Sequence, residues 1–272
     1  MVIFPHCKIN IGLKVVRKRT DGYHDLQTIF YPLPVKDVLE IIEAPPGTET
    51  SMNVFGLPIQ GQSTDNLCLK AYNLLKKDFP NLPPVTIYLY KNIPMGAGLG
   101  GGSSDGAFTL ILLNEKYKLE ISREKLLGYA LELGSDCPFF ILNQPAYAEG
   151  RGELMEPLEL DLNPYSFLLV NSGIHVSTAA AFAQITPALP TDNLRTLVKS
   201  PLIDWKNRVI NDFETSVFAQ YPELQEIKDT LYSHGALYAS MTGTGSTIYG
   251  IFEKNRLPLD LFEGKYRINR VV

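Results

Sequence analysis

Between residues 7 and 15, apolar and polar positions alternate: Cys7, Ile9, Ile11, Leu13 and Val15 against Lys8, Asn10, Gly12 and Lys14. A period of two predicts a half-buried strand, with Lys8 and Asn10 on one face roughly 7 Å apart. Thr20-Asp21-Gly22 predicts a turn, and strand-like runs follow at 27–31, 38–42 and 51–55. Leu67, Ala71, Leu74 and Leu75 fall at i, i+4, i+7 and i+8, which predicts an amphipathic helix stopped by Pro80. Val85, Ile87 and Leu89 alternate with Thr86, Tyr88 and Tyr90 in a predicted strand over 85–91. A helix is predicted from about 104 to 117. Ser122 N-caps another, which carries Leu126, Leu127, Ala130 and Leu131 and ends at Gly134. After a turn at Gly150-Arg151-Gly152 come a strand at 166–170 and helical patterns at 179–185, 194–199 and 223–234. Gly235 caps the last of these, and strands at 237–241 and 248–252 flank a Gly/Thr/Ser turn. Residues 45–47 and 187–190 read as loops. Strands and helices do not alternate one for one. The expectation is therefore an α+β chain in two lobes, 1–150 and 151–272, rather than a doubly wound sheet.

Composition narrows the function classes. A chain of 272 residues with 45% apolar and 20% charged positions can bury a core and is not a disordered segment. Twenty-five basic against 29 acidic residues give a net charge of −4, which argues against a general nucleic-acid binder but leaves room for a local anion site. Cys7, Cys68 and Cys137 are odd in number and form no CxxC pair, so neither a disulfide framework nor a zinc site is expected. No run approaches the ~18 apolar residues of a membrane span, and the N-terminal residues lack the pattern of a signal peptide. The expectation is a cytoplasmic protein without a membrane or nucleic-acid partner, a monomer or weak homodimer acting on a small molecule.

The most informative segment is Pro94-Met95-Gly96-Ala97-Gly98-Leu99-Gly100-Gly101-Gly102-Ser103-Ser104. It concentrates five of 21 glycines between a strand signal and a helix signal. Glycine allows positive φ and close approach of a ligand to the backbone. Successive amides leading into a helix N-terminus make an anion site. Ser103 and Ser104 add hydroxyls, one of them suited to a phosphate-bound cation. The competing reading is a flexible linker with a serine cap. Gly96-x-Gly98-x-x-Gly101 also matches the dinucleotide fingerprint, but no parallel βαβ unit follows. The Gly-Lys-Ser/Thr ending of a Walker A loop is missing, as is the protein-kinase motif set.

The loop, taken with Lys8-Ile9-Asn10, the segment Asp21-Gly22-Tyr23-His24-Asp25-Leu26-Gln27-Thr28, Leu133-Gly134-Ser135-Asp136-Cys137-Pro138-Phe139-Phe140, Ala148-Glu149-Gly150-x-Gly152-Glu153 and Thr242-Gly243-Thr244-Gly245-Ser246, resembles the GHMP small-molecule kinases. The Gly-Tyr-His segment resembles the branch that acts on a cytidine-diphosphate-linked methylerythritol. The resemblance implies a mixed-sheet N-terminal lobe carrying the ATP loop and a ferredoxin-like C-terminal lobe. It also implies transfer of the ATP γ-phosphate to the acceptor's 2-hydroxyl, with Mg²⁺, in isoprenoid precursor synthesis. Another GHMP kinase, or a silent nucleotide-binding regulator on the same scaffold, is the alternative.

By the same resemblance, Asp136 and Lys8 are the catalytic pair. A carboxylate can take the proton of an attacking hydroxyl, and a lysine can keep it ionised and stabilise the transferring group. Locally, Asp136 also reads as a helix N-cap with Pro138 in the first turn, and Lys8 as a solvated strand lysine. Asn10 would orient the acceptor, Tyr23 and His24 would read cytidine, Phe182 would be the opposing aromatic wall, and Thr178 lies one helical turn before it. Tyr and Phe at such positions are also ordinary rim or core residues. Asp65-Asn66-Leu67 and Lys91 resemble adenine-pocket positions, Asn66 being equally a cap. The turn at 242–246 is either a third family motif or a plain hairpin turn. Two departures stand out. Gly106, where relatives have Ala, is expected to weaken the helix start slightly. Ala97, in place of a loop glycine, calls for ordinary backbone angles.

Overall fold

The computed structural model describes residues 1–59 and 65–272. In chain order the elements are β1 (Val2–Ile3), β2 (His6–Lys18), β3 (His24–Lys36), β4 (Val38–Glu43), β5 (Ser51–Gly56), α1 (Leu67–Asp78), β6 (Val85–Lys91) and α2 (Gly101–Tyr117). They continue as α3 (Arg123–Leu133), α4 (Cys137–Leu142), β7 (Ala146–Gly150), β8 (Leu154–Pro157), β9 (Tyr165–Asn171), α5 (Thr178–Ala183) and α6 (Leu194–Leu197). A 3₁₀ turn at Leu202–Trp205 precedes α7 (Phe213–Gln220), α8 (Pro222–Ser233), β10 (Tyr238–Met241), β11 (Ile248–Glu253) and β12 (Arg267–Val271).

The chain forms two compact units, each assembled from several segments. One comprises Met1–Cys7, Pro34–Met95 and Gly100–Asn143. It holds the sheet β1-β4-β6-β5, in which only the β5–β6 pair is parallel. The alternation along β6 works as expected: Val85, Ile87 and Leu89 are fully buried while Tyr90 is exposed. The 101–113 stretch of α2 is buried along most of its length, and it carries Ser104, Asp105 and Thr109 inside with its apolar residues. Gly106 has a packing reason. A Cβ there would stand 2.8 Å from the Leu67 Cβ, so its absence lets α1 and α2 approach closely. The helix penalty foreseen for Gly106 accounts for only part of its role.

The other unit comprises Lys8–Leu33, Gly96–Leu99 and Gln144–Val272. It contains the antiparallel sheet β10-β11-β9-β12 and most of the sheet β2-β3-β7-β8. Phe213 and Val217 of α7 and Leu224, Ile227 and Leu231 of α8 share a core with Leu168, Val170, Ala239, Met241 and Ile248 of the first sheet. Burial of these side chains from water drives the packing of helix on sheet.

Three differences from the sequence reading matter. First, β2 is not half-buried. Lys8 and Asn10 are 4% and 3% exposed, because the polar face is covered by hydrogen-bonding partners from β3 and the 242–247 turn. Second, α2 begins at Gly101, three residues before the expected start. Gly100, at φ +69°, makes the turn, and the following glycines enter the helix directly. Third, β7, β8, α7 and β12 were not foreseen. Alpha7 carries Phe213, Val217 and Phe218 at helical spacing, a signal that was available. Beta12 is a short edge strand identified only by its pairing with β9.

Candidate active site

In the second unit the loop segment 96–99 lies against β2 and the 242–247 turn. Lys8 N donates to Leu99 O at 3.0 Å, and Thr247 N to Ala97 O at 3.3 Å. The Thr242 hydroxyl accepts from Asn10 N at 2.9 Å and donates to Gly98 O at 2.9 Å, joining strand, loop and turn through one small group. Gly98, at φ +77°, is required twice over: a Cβ would sit 1.9 Å from the Thr242 carbonyl oxygen. Asn211 Nδ2 holds the turn from behind, donating to Met241 O and Gly243 O at 2.8 Å each. Residues 242–246 are thus no plain hairpin turn. Ala97, as expected, has no positive φ, unlike Gly96, Gly98 and Gly100.

The lysine of the expected catalytic pair is positioned in the same unit. Lys8 Nζ donates to Asn10 Oδ1 at 2.5 Å and lies 4.7 Å from the centre of the Phe30 ring. Asn10 Nδ2 donates to Thr28 Oγ1 at 3.0 Å, and that hydroxyl passes its own proton to Gly12 O at 2.6 Å. Asn10 therefore fixes the ammonium rather than standing on the strand as an independent polar group.

In the first unit the loop runs into α2. Ser104 N closes the first helical turn onto Gly100 O at 2.9 Å, which leaves the preceding amides without intrahelical acceptors and turned toward the positive end of the helix dipole. A Cβ on Gly101 would meet Ile93 Cγ2 at 2.8 Å and Lys91 Nζ at 3.3 Å. Beneath this start lies a buried charge cluster. Lys91 Nζ donates to Asp105 Oδ2 at 2.6 Å and to Asp37 Oδ2, with Lys91 and Asp37 side chains wholly out of solvent. Asp37 Oδ1 also accepts Asn92 N at 2.5 Å and Ile93 N at 2.8 Å. Burial pushes the Asp105 carboxyl up to about 8 against the pull of Lys91. Burial alone would lower Lys91, and the two carboxylates more than reverse it.

Asp136 stands immediately before α4, with Pro138 in the first turn as expected. Its side chain makes no capping hydrogen bond, so the local reading of it as a side-chain cap does not hold. Cys137 beside it is pushed up to about 12 by burial, against a hydrogen bond with Ser103, which keeps it a thiol. The adenine-pocket positions read differently in space. Asn66 caps α1, its Oδ1 accepting from Cys68 N at 2.9 Å, and Lys91 is enclosed with its two aspartates.

Two of the aromatic residues assigned to the acceptor, His24 and Phe182, meet in the second unit. Phe182 stacks on His24 with centroids 4.9 Å apart and planes 24° apart, and meets Phe213 edge-on at 4.8 Å. That spacing admits no base between His24 and Phe182. Tyr23 is 55% exposed, with the Arg151 guanidinium 4.9 Å from its ring centre. Thr178 Oγ1 lies 3.3 Å from Thr244 Oγ1, linking the start of α5 to the 242–246 turn.

Comparison with known proteins follows the same lines. Models of the GHMP kinases N terminal domain and the GHMP kinases C terminal match residues 66–144 and 194–260. A 4-diphosphocytidyl-2-C-methyl-D-erythritol kinase of Bacteroides fragilis is 51% identical over 253 residues, 93% of this chain and 92% of the relative. The chain belongs to the 4-diphosphocytidyl-2-C-methyl-D-erythritol kinase family. A second member, from Azobacteroides pseudotrichonymphae, is 49% identical over 263 residues, 96% of this chain and 97% of the relative. A crystal structure of a 4-(cytidine 5'-diphospho)-2C-methyl-D-erythritol kinase matches with a TM-score of 0.84 at 29% identity, covering 100% of this chain and 98% of that one. A Methanococcus jannaschii mevalonate kinase, at 18% identity and a TM-score of 0.71, shares the fold. The α+β class and the identification as an ATP-dependent phosphotransferase both stand within this kinase family. Among the described residues no helix is long and apolar enough to cross a membrane.

Proposed function

We propose that this chain transfers the γ-phosphoryl group of ATP to the 2-hydroxyl of 4-diphosphocytidyl-2-C-methyl-D-erythritol, a step of isoprenoid precursor synthesis by the methylerythritol route. Phosphoryl transfer depends mostly on positioning and on stabilising charge, and the chain supplies parts for both. The amides of 96–104 bind the phosphate chain. Asp136, whose carboxylate is not used as a helix cap, accepts the hydroxyl proton as the new P–O bond forms. Lys8, fixed by Asn10, offsets charge on the transferring group. Tyr23, His24, Thr178 and Phe182 recognise the cytidylyl end. The His24–Phe182 stack forms one wall, with Tyr23 as the exposed ring that a pyrimidine can meet face to face. The functional lobes in this reading are 1–150 and 151–272, a division the compact units cut across, since Lys8–Leu33 and Gly96–Leu99 pack with the C-terminal segment.

Mg²⁺ belongs to this reading, since a divalent ion neutralises the charge of the ATP phosphates. Ser104 fits it: its Oγ is buried and without a hydrogen-bond partner, an oxygen at the loop–helix junction left for a ligand. Among the described residues no group of three His, Cys, Asp or Glu gathers to hold a metal, so Ser104 and phosphate oxygens would hold the ion.

The observation that carries the proposal is the 3.0 Å hydrogen bond from Lys8 N to Leu99 O, which ties the lysine's strand to the phosphate loop. The test is ADP release with the cytidylyl acceptor, mevalonate or homoserine offered in turn. Turnover should be confined to the first. Lys8→Ala and Asp136→Asn should fold normally and lose about 10²–10⁴ in kcat. Wild-type-like kcat in either variant would refute its assigned role, and preference for another acceptor would refute the substrate.

A further inference from the structure

His175 is an exposed imidazole next to the phosphate loop. The edge of its ring carrying Nδ1 and Cε1 lies 3.5 and 3.6 Å from the point where a Cβ on Gly96 would stand. The ring therefore rests against the first positive-φ turn of the loop, at φ +63°. Its aim is set by its neighbours. Val176 is buried in the second unit's core, and Ile174 O accepts the Ser246 hydroxyl at 2.5 Å. Between these two anchored residues the His175 side chain lies against Gly96. Upstream, Ile174 N is held by Ser172 Oγ at 3.2 Å and Gly173 N by Asn171 Oδ1 at 3.3 Å. Among the described residues neither ring nitrogen of His175 has a hydrogen-bond partner in the protein. An imidazole with unused nitrogens beside the backbone of an anion-binding loop is an additional donor for that anion.

We propose that His175 binds a polyphosphate oxygen at the Gly96 end of the loop, adding a side-chain donor to the backbone amides. The inference rests on the kinase reading above and extends it by one residue. Two diphosphate groups share this chemistry, that of ATP and that of the cytidine-diphosphate acceptor, and the experiment separates them.

Binding of ADP and of CDP to the full chain is measured by calorimetry for wild type, His175→Ala and His175→Asn, alongside steady-state kinetics with both substrates. An exposed side chain of this kind can be removed without unfolding the chain, so far-UV circular dichroism and the melting midpoint should be unchanged. His175→Ala should weaken one of the two ligands on the order of ten-fold, the scale of a hydrogen bond to a charged group. The KM of the corresponding substrate should rise in parallel, with kcat within about two-fold. His175→Asn, which keeps a donor near the Nδ1 position, should retain most of the affinity. Loss confined to ADP places the contact on ATP, and loss confined to CDP places it on the acceptor. Unchanged binding of both ligands, or equal losses with Ala and Asn, would overturn the proposal. Wild-type enzyme that binds ADP but does not turn over the cytidylyl acceptor would refute the proposed function instead, and the ADP arm would still judge His175.

Discussion

Gly98→Ala is the sharpest probe of how the loop is held. The substitution adds one methyl group, and the structure places it 1.9 Å from the Thr242 carbonyl oxygen, a backbone atom that cannot rotate aside. The φ of +77° is also unfavourable for any L side chain, by about 1–2 kcal/mol. Relief of the clash must separate loop from turn. That weakens the Thr242 hydroxyl's bond to Gly98 O, its bond from Asn10 N and the Gly245 N bond to Thr242 O. At about 1 kcal/mol for each hydrogen bond lost, two or three losses bring the total to roughly 3–5 kcal/mol. For a chain of this size, with roughly 2–4 °C per kcal/mol, the melting midpoint should fall by about 6–20 °C. Gly22→Ala is the control. Its φ is +87°, and a Cβ there would meet nothing within 4 Å, so it should show the conformational part alone, about 1–2 kcal/mol. Urea unfolding of both variants without nucleotide gives the comparison, and ADP release should be lost only in Gly98→Ala. If Gly98→Ala is no less stable than Gly22→Ala, the loop and turn are not locked as described.

The buried cluster gives two further expectations. Because the Asp105 pKa is raised on folding, the folded chain keeps a proton that the unfolded chain releases. Stability from this group is full below the unfolded carboxyl value near 4 and is lost as pH rises toward about 8. Asp105→Asn should therefore gain on wild type progressively between pH 5 and 8, read from urea midpoints at fixed ionic strength. A difference that does not vary with pH would contradict the raised carboxyl, whose neighbours are Lys91, Asp37 and Cys68. Lys91→Met leaves two buried carboxylates side by side and should lower stability by about 3–5 kcal/mol; a loss under about 1 kcal/mol in the same assay would show the cluster to be dispensable.

What could be read in advance follows from the range of the interactions. Alpha1, α3 and β6 were legible because cap, spacing and breaker all lie within a dozen residues. So was the glycine-rich turn at 96–100, whose positive-φ positions fall on glycines. The burial of Lys8 was not legible, since the atoms that cover its strand come from Thr28 and Thr242, the latter more than 230 positions away. The Lys91 cluster was hidden for the same reason: Asp37 is 54 residues upstream, and nothing near Lys91 announces it. Asp136 shows the opposite limit. Its neighbours give the look of a cap, and only the hydrogen bonds show that the carboxylate is not used that way. The aromatics expected at the acceptor follow from resemblance alone, and the pairing of His24 on Phe182 is a matter of rings meeting in space that spacing along the chain does not encode.

Lys91 has a practical consequence beyond stability. An amine sealed from water and bound to two carboxylates is inert to acylating reagents, whereas most of the chain's other lysines reach solvent. Acylation at this one position can therefore proceed only while the region around it has come apart. Its labelling rate, read by mass spectrometry against the solvent-facing amines of the same sample, is an intrinsic clock for the opening of the structure under the start of α2.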